Sequence, residues 1–531
     1  MKASKFRNFF LGLALFAVLV IALSMLQNRM NGIRVEKELT DTEPLRNAPP
    51  LVAFTTVALG GFRGLVADWL WLRSGKMQDE GNYFELVQLA NWITKLQPRF
   101  TAAHSFLAWN MAYNVSVTFH GVDDRWRWVQ RGIELIRDEA LLYNPSDPEL
   151  FQQLGWIYQH KMGKDLDDAN RYYKTMMGWE MIKLFGPYEG RWDILGSGAL
   201  TRMKLQDRIG RDSALWTMLA EKQMTFDQLE QQFRQEGRVP QDFVEKLTRE
   251  GYIEQVDLCL RNRWLQNKYR LNPRLMMAIN AAYGELDWRL PEAHAIYWAT
   301  RGKQEWRKTD SNFKELQCDR MIFQSLSAAF QGGRLMVVNQ NDTYQLEMMP
   351  NLNVVDTTRA FYESAKDKHG EKMVRGAFEN FMVDAVVMLY KFGARSKANG
   401  YFQDSKKKFG GRFDGQLDRF VLKELEEDVA TANYNQGQST VQSYIVMSCR
   451  MLAVDKMEDA VGYERMAKAI HTKYNKDIGV TTHERRALPP LPQMKSTMLK
   501  WCLETFEPPV AKALRQALAQ LNAEAQAEAE E

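Results

Sequence analysis

Residues Phe151 to Tyr173 read FQQLGWIYQHKMGKDLDDANRYY. An aromatic, a Leu-Gly pair, a tyrosine, an alanine and a second aromatic fall at intervals that suit two packed antiparallel helices. Phe151, Leu154 and Tyr158 lie three and four residues apart, so they share one helical face. Gly155 removes a side chain where a second helix would press closest. Ala169 is small at the expected crossing, and Tyr173 fills the gap beside it. The spacing predicts a helical hairpin whose second helix begins near Ala169.

Upstream units repeat the pattern. Phe106, Trp109, Asn110 and Tyr113 take the same places on an earlier helix, with Asn where Gly stands at 155. The partner of that helix runs through Ile133 and Ala140 to Asn144-Pro145, after an aromatic-rich insertion. Before it, GNYFELVQLANWITKLQP (Gly81 to Pro98) reads as another second helix, preceded by a looser first helix carrying Leu70 and Met77. The tetratricopeptide repeat carries W-x2-L-G-x2-Y, then A-x3-F, then Pro, over about 34 residues. With three units in tandem, residues 62 to 190 resemble a tetratricopeptide array. Ala293-x3-Tyr297 in LDWRLPEAHAIYWATRG is a further second-helix signature, with weaker echoes at Ala398-x3-Phe402 and around Ala460. GLVADWLWLR and LPEAHAIYWA look like phrases of membrane-anchored tetratricopeptide proteins of bacterial envelopes.

That resemblance implies an all-α fold, an α-solenoid of helical hairpins with a concave wall built from successive first helices. Such a wall suits a peptide or a partner helix. The groove positions of the family fall here on Glu149, Gln152, Trp156, Gln159 and His160, and in the preceding unit on His104, Leu107, Met111, Asn114 and Val115. This mixed polar and aromatic lining lacks the Lys/Asn set that clamps a C-terminal carboxylate. The implied function is a non-catalytic scaffold that binds other proteins in assembling an envelope complex.

Composition sets outer bounds. With 45% hydrophobic and 26% charged residues the chain is a folding one, and a net charge of +4 over 531 residues gives no electrostatic pointer to nucleic acid. Lys2, Lys5 and Arg7 precede 18 residues without a charge, Phe9 to Leu26, which as a helix would reach roughly 27 Å, near the thickness of a bilayer core. The run ends in SMLQNRM, without a small-x-small cleavage site, so an uncleaved anchor is expected. A short basic leader stays inside, which places the body in the periplasm of a bacterial inner-membrane protein. Arg63 and Asp68 disfavour a second span over Leu51 to Leu72.

The expected organisation is a basic leader (1–8), a transmembrane anchor (9–26), a polar linker (27–50) and the repeat-like array (51–190). A charged helical insertion (191–275) follows, then degenerate helical pairs (276–480) with a β-hairpin near 333–350. A Pro-containing linker (481–510) leads to a last helix and acidic tail (511–531).

Signatures of chemistry are lacking. HExxH, GxSxG, the Walker loop and GxGxxG are all missing, and the seven histidines are scattered. His160 has no ligand-type neighbour one helical turn away. The Asp residues of DLDDA (165–169) lack the Gly and Glu of a calcium loop and read as helix caps. DRWRWVQR (124–131) mixes cations with aromatics, but Trp126 and Val129 share a core-like face; SKKKFGGR (405–412) reads as a solvated basic turn. Cys259, Cys318, Cys449 and Cys502 contain no CxxC and read as buried free thiols. The expectation is therefore no catalytic residues, no metal and no cofactor. Two rivals stand beside the scaffold. One is a membrane-tethered enzyme with a site in residues 191–480. The other is a structural homo-oligomer using the hairpin and C-terminal helix.

Overall fold

The computed structural model describes residues 62–531 except 165, 308–311, 341–342, 422, 425–433, 478–486 and 531, together with scattered residues between 18 and 36. The leader, most of the expected anchor and most of the linker lie outside the described residues. Among the described residues no helix is long and apolar enough to cross a membrane. Two compact units are present, Met1–Gly64 and Leu65–Glu531. The described residues of the first are helical, with Ile21, Leu23 and Met25 exposed.

The second unit is almost wholly helical. It opens with all but the first three residues of α1 (Phe62–Asp79), then α2 (Tyr83–Leu96), α3 (Thr101–Trp109) and α4 (Val122–Glu134), followed by α5 (Pro148–Trp156) and α6 (Asn170–Phe185). Three of these continue into wider π-helical turns: α3 through Asn110–Val115, α4 through Leu135–Ala140 and α5 through Ile157–Gly163. Asp147 starts α5, its Oδ1 accepting from the Glu149 and Leu150 amides at 2.9 and 3.1 Å, with Pro148 as the first helical residue. The α3–α4 hairpin closes where expected. Gly132 of α4 lies so near α3 that a Cβ would sit 2.8 Å from the Ala108 carbonyl oxygen.

The next pairing departs from the sequence reading. α6, the helix that begins near Ala169, stacks its Tyr173 on Trp126 of α4 at 5.7 Å. The helix pressed against Gly155 is instead α14 (Pro291–Arg307), far along the chain. A Cβ at 155 would lie 3.3 Å from the Ala295 carbonyl oxygen and 3.4 Å from the Ala299 amide. The physical reason lies in side-chain size: Ala295, Ala299 and Gly302 form a small-residue seam, and Gly302 comes equally close to Pro148. Phe151 stacks on Trp298 at 5.9 Å, and Arg301 caps the Phe151 ring.

Residues between α6 and α14 form seven helices: α7 (Trp192–Ser197), α8 (Arg202–Ile209), α9 (Ala214–Glu221), α10 (Phe226–Glu236), α11 (Gln241–Arg249), α12 (Ile253–Lys268) and α13 (Pro273–Tyr283). Arg261 of α12 ties this insertion to α6. Its guanidinium donates to the Lys183, Leu184 and Gly237 carbonyls and pairs with Asp257. Gly186, at φ +53°, leaves room for that guanidinium, which a side chain there would strike.

After α14 come α15 (Asn312–Gly332) and a two-stranded antiparallel hairpin, β1 (Arg334–Gln340) and β2 (Thr343–Met349), with Leu335 opposite Met348 and Val337 opposite Leu346. The hairpin lies on α6: Leu335 and Leu346 pack on Gly178, where no side chain intervenes. The remaining helices are α16 (Val355–His369), α17 (Glu371–Lys391), α18 (Arg395–Phe409), α19 (Tyr434–Ala453), α20 (Met457–Asp477), α21 (Leu491–Thr505) and α22 (Pro508–Glu530). α21 occupies much of the expected 481–510 linker. Pro492 sits in its first turn, where proline is tolerated, and Met494, Met498, Trp501 and Cys502 form a buried stripe. All four cysteines are free and buried.

Candidate site: an aromatic ladder over a buried ion cluster

The first helices of two neighbouring units, α3 and α5, meet through their π turns. A π turn accommodates an extra residue, which rotates the side chains that follow out of the α-helical register. In α3 Tyr113 lies beside Trp109 four residues earlier, the two rings stacked at 5.6 Å. In α5 His160 lies flat on Trp156, again four residues earlier, at 4.6 Å. Tyr113 and His160 then share a hydrogen bond, Oη to Nδ1, of 3.3 Å. Trp109, Tyr113, His160 and Trp156 thus form one continuous ladder. Trp109 is 38% exposed and the other three are half-buried.

Beneath the ladder is a pocket of about 290 Å³ floored by charge. Arg125, from α4, donates to Asp167 and Asp168, the latter at 2.6 Å, and Lys161 pairs with Asp167. Asp167 also accepts from the Ala169 amide and from the Tyr173 hydroxyl. Arg125, Lys161 and Asp167 are all buried, and the two cations are matched by two carboxylates. Removing such ions from water is costly unless each is paired and hydrogen-bonded; every ion here has an opposite charge in contact, and only the Arg125 Nε is left without a hydrogen-bond partner.

The electrostatics keep the ladder uncharged. Burial, followed by the fields of Lys164 and Lys161, holds the His160 imidazole below the ordinary histidine value, so it is neutral near pH 7. Burial and the Asp167 charge push the Tyr113 phenol well up. Burial pulls Lys161 below the usual lysine value against the opposing field of Asp167. Burial also works against Arg125, but Asp167, Tyr173 and Asp168 more than offset it and its pKa is raised. The ladder offers flat apolar faces edged by a hydroxyl and an imidazole. It can stack on an aromatic, prolyl or cationic side chain, while the ions beneath hold the rings in place.

The residues assigned to the groove are dispersed. Trp156 and His160 stand in the ladder. Asn114 sits beside it, half-buried, its amide turned back to Asn110 at 2.7 Å. His104 is buried against the Phe100 carbonyl, and Met111 is buried too. Gln159 points away, donating to the Met321 carbonyl and the Ser325 hydroxyl of α15. Glu149 and Gln152 are half-buried near the start of α5, with the Gln152 amide close to Gly302 of α14. Sequence spacing placed Trp109 and Tyr113 in the helical interface, and a π turn has no signature in apolar periodicity. Arg125, Lys161, Asp167 and Asp168 were equally unmarked as a cluster; the adjacent acids after α5 were the only sign of it.

Among the described residues no group of three or more His, Cys, Asp or Glu side chains is placed to hold a metal ion. The sequence matches no protein-family model, and no curated protein shows significant similarity to it.

Proposed function

We propose that the protein is a scaffold of tetratricopeptide-like hairpins, an α-solenoid held to the bacterial inner membrane by residues 9–26 with its body in the periplasm. It binds segments of other envelope proteins at the Trp109–Tyr113–His160–Trp156 ladder and so helps assemble a secretion, pilus-like or polymer-handling complex. The observation that carries this reading is the ladder itself. Two stacked ring pairs joined by the Tyr113–His160 hydrogen bond, partly open to solvent and set over paired buried ions, resemble the rigid aromatic anchors that concentrate binding energy at protein interfaces. Anchoring to the membrane would add effective concentration for neighbouring membrane proteins.

The rival enzyme reading would call for acidic or histidine side chains converging on one pocket. A cavity bordering residues 191–480 instead has each of its carboxylates paired with a donor through at least one oxygen, Glu292 with Lys174, Asp384 with Gln331 and Glu424 with Arg412, which favours the scaffold. The test is quantitative affinity capture from crosslinked membranes, comparing wild type with Trp109→Ala and Trp156→Ala. The reading expects a reproducible partner set depleted by both variants at equal protein abundance. An identical set from all three proteins contradicts it.

A further inference from the structure

A second site, separate from the ladder, lies where α6, α14, α15, α17, α19 and β2 converge around a cavity of about 410 Å³. That volume falls in the range of small-ligand pockets, roughly 300–1,000 Å³. Its polar groups are incompletely matched. Lys174 donates to Oε1 of Glu292 at 2.7 Å, whereas Oε2 of Glu292 is buried with no hydrogen-bond partner on a residue only 3% exposed. A buried carboxylate oxygen left without a donor costs free energy unless a ligand supplies one.

Arg171 lines the same cavity one helical turn before Lys174. Its guanidinium lies over the Tyr434 ring at 4.5 Å and donates to the Ala487 carbonyl at 3.3 Å. Neither partner carries a charge, and the buried Glu347 carboxylate, whose charge Arg171 favours, takes its hydrogen bonds from Gln438 and Gln493, so the guanidinium retains N–H donors for a second anion. An acceptor without a donor, on α14, and a cation with N–H groups to spare, on α6, therefore line one cavity. Gln438 and Gln442 add amides to the wall; their NH2 groups donate to Glu347 and to the Met348 carbonyl, which leaves their carbonyl oxygens for a peptide N–H.

We propose that this cavity binds a zwitterionic ligand of amino-acid to dipeptide size, its carboxylate on Arg171 and its ammonium on Glu292. A neutral sugar would satisfy the amides but leave the guanidinium without its anion. Phosphate would set negative charge beside the free oxygen of Glu292.

Calorimetric titration of the full chain in detergent tests this with four probes: alanyl-alanine, its N-acetyl derivative, its C-terminal amide, and inorganic phosphate. Loss of one charge-assisted contact should weaken binding by about tenfold or more, so both blocked dipeptides should bind at least that much more weakly than alanyl-alanine. Arg171→Gln should reduce alanyl-alanine affinity to a similar degree. It should also bring the free dipeptide level with its amide, since both then lack the carboxylate contact. Comparison of the probes on the unaltered protein stands even if the variant fails to fold. No binding of any probe at millimolar concentration overturns the proposal. So does equal affinity for free and blocked dipeptides, or phosphate binding as tight as dipeptide binding.

Discussion

His294 sets an acid limit on the fold. It lies wholly inside, Nε2 on the Trp288 carbonyl at 3.0 Å and Nδ1 without a partner, and burial pushes its pKa down to about 4 from an ordinary 6.5. The unfolded chain therefore takes up a proton first as pH falls. The contribution of neutral His294 is complete above pH 6.5 and is lost as pH drops toward 4, a change of about 3 kcal/mol at roughly 1.4 kcal/mol per pH unit. His294→Gln, which keeps a donor for Trp288, should flatten denaturant-measured stability across that window. A slope unchanged from wild type would refute this. Gly132 makes the complementary point about space. Gly132→Ala adds helix propensity of about 1 kcal/mol but drives a methyl to 2.8 Å from a backbone oxygen, an overpacking cost of about 1–3 kcal/mol. A lowered denaturation midpoint is expected, and a raised one would show that α3 and α4 can separate freely.

Among the elements, the α5–α14 pairing marks where local pattern stops deciding structure. Phe151, Leu154, Gly155 and Tyr158 correctly marked α5 as a helix with a close-packing face, because that information lies in spacing. Which helix covers the face is set by a small-residue seam in α14, and nothing near α5 announces it. The helix-B signature at Ala293–Tyr297 was legible, as was the hairpin at 333–350, whose two strand-like runs flank an Asn-Gln-Asn-Asp turn. The aromatic ladder was legible by half: Trp156 and His160 were groove positions, whereas Trp109 and Tyr113 read as interface residues of their helix. Insertion of seven helices between α6 and α14 needs a staple, and Arg261 supplies it. Arg261→Ala leaves three carbonyls and the half-buried Asp257 carboxylate without their donor, which should cost about 3–5 kcal/mol. Hydrogen exchange should accelerate first around 183–186 and 237, with Arg261→Lys intermediate because a point charge cannot bridge the same set. Uniform loss of protection across the chain would argue against a local staple.

For the molecule as a whole, one continuous core joins helices from Ala90 to Leu514, so the ladder and the central cavity share a common frame. A rigid frame is what lets four partly exposed rings hold a fixed surface without collapsing onto one another. The most direct measurement is photocrosslinking in intact cells from a benzoylphenylalanine at position 114, beside the ladder, against the same probe at Gln403, exposed on α18. Binding at the ladder predicts a discrete adduct to another envelope protein from position 114, weakened by Trp156→Ala and absent from position 403. No adduct at 114, or one that persists unchanged when Trp156 is lost, would contradict it.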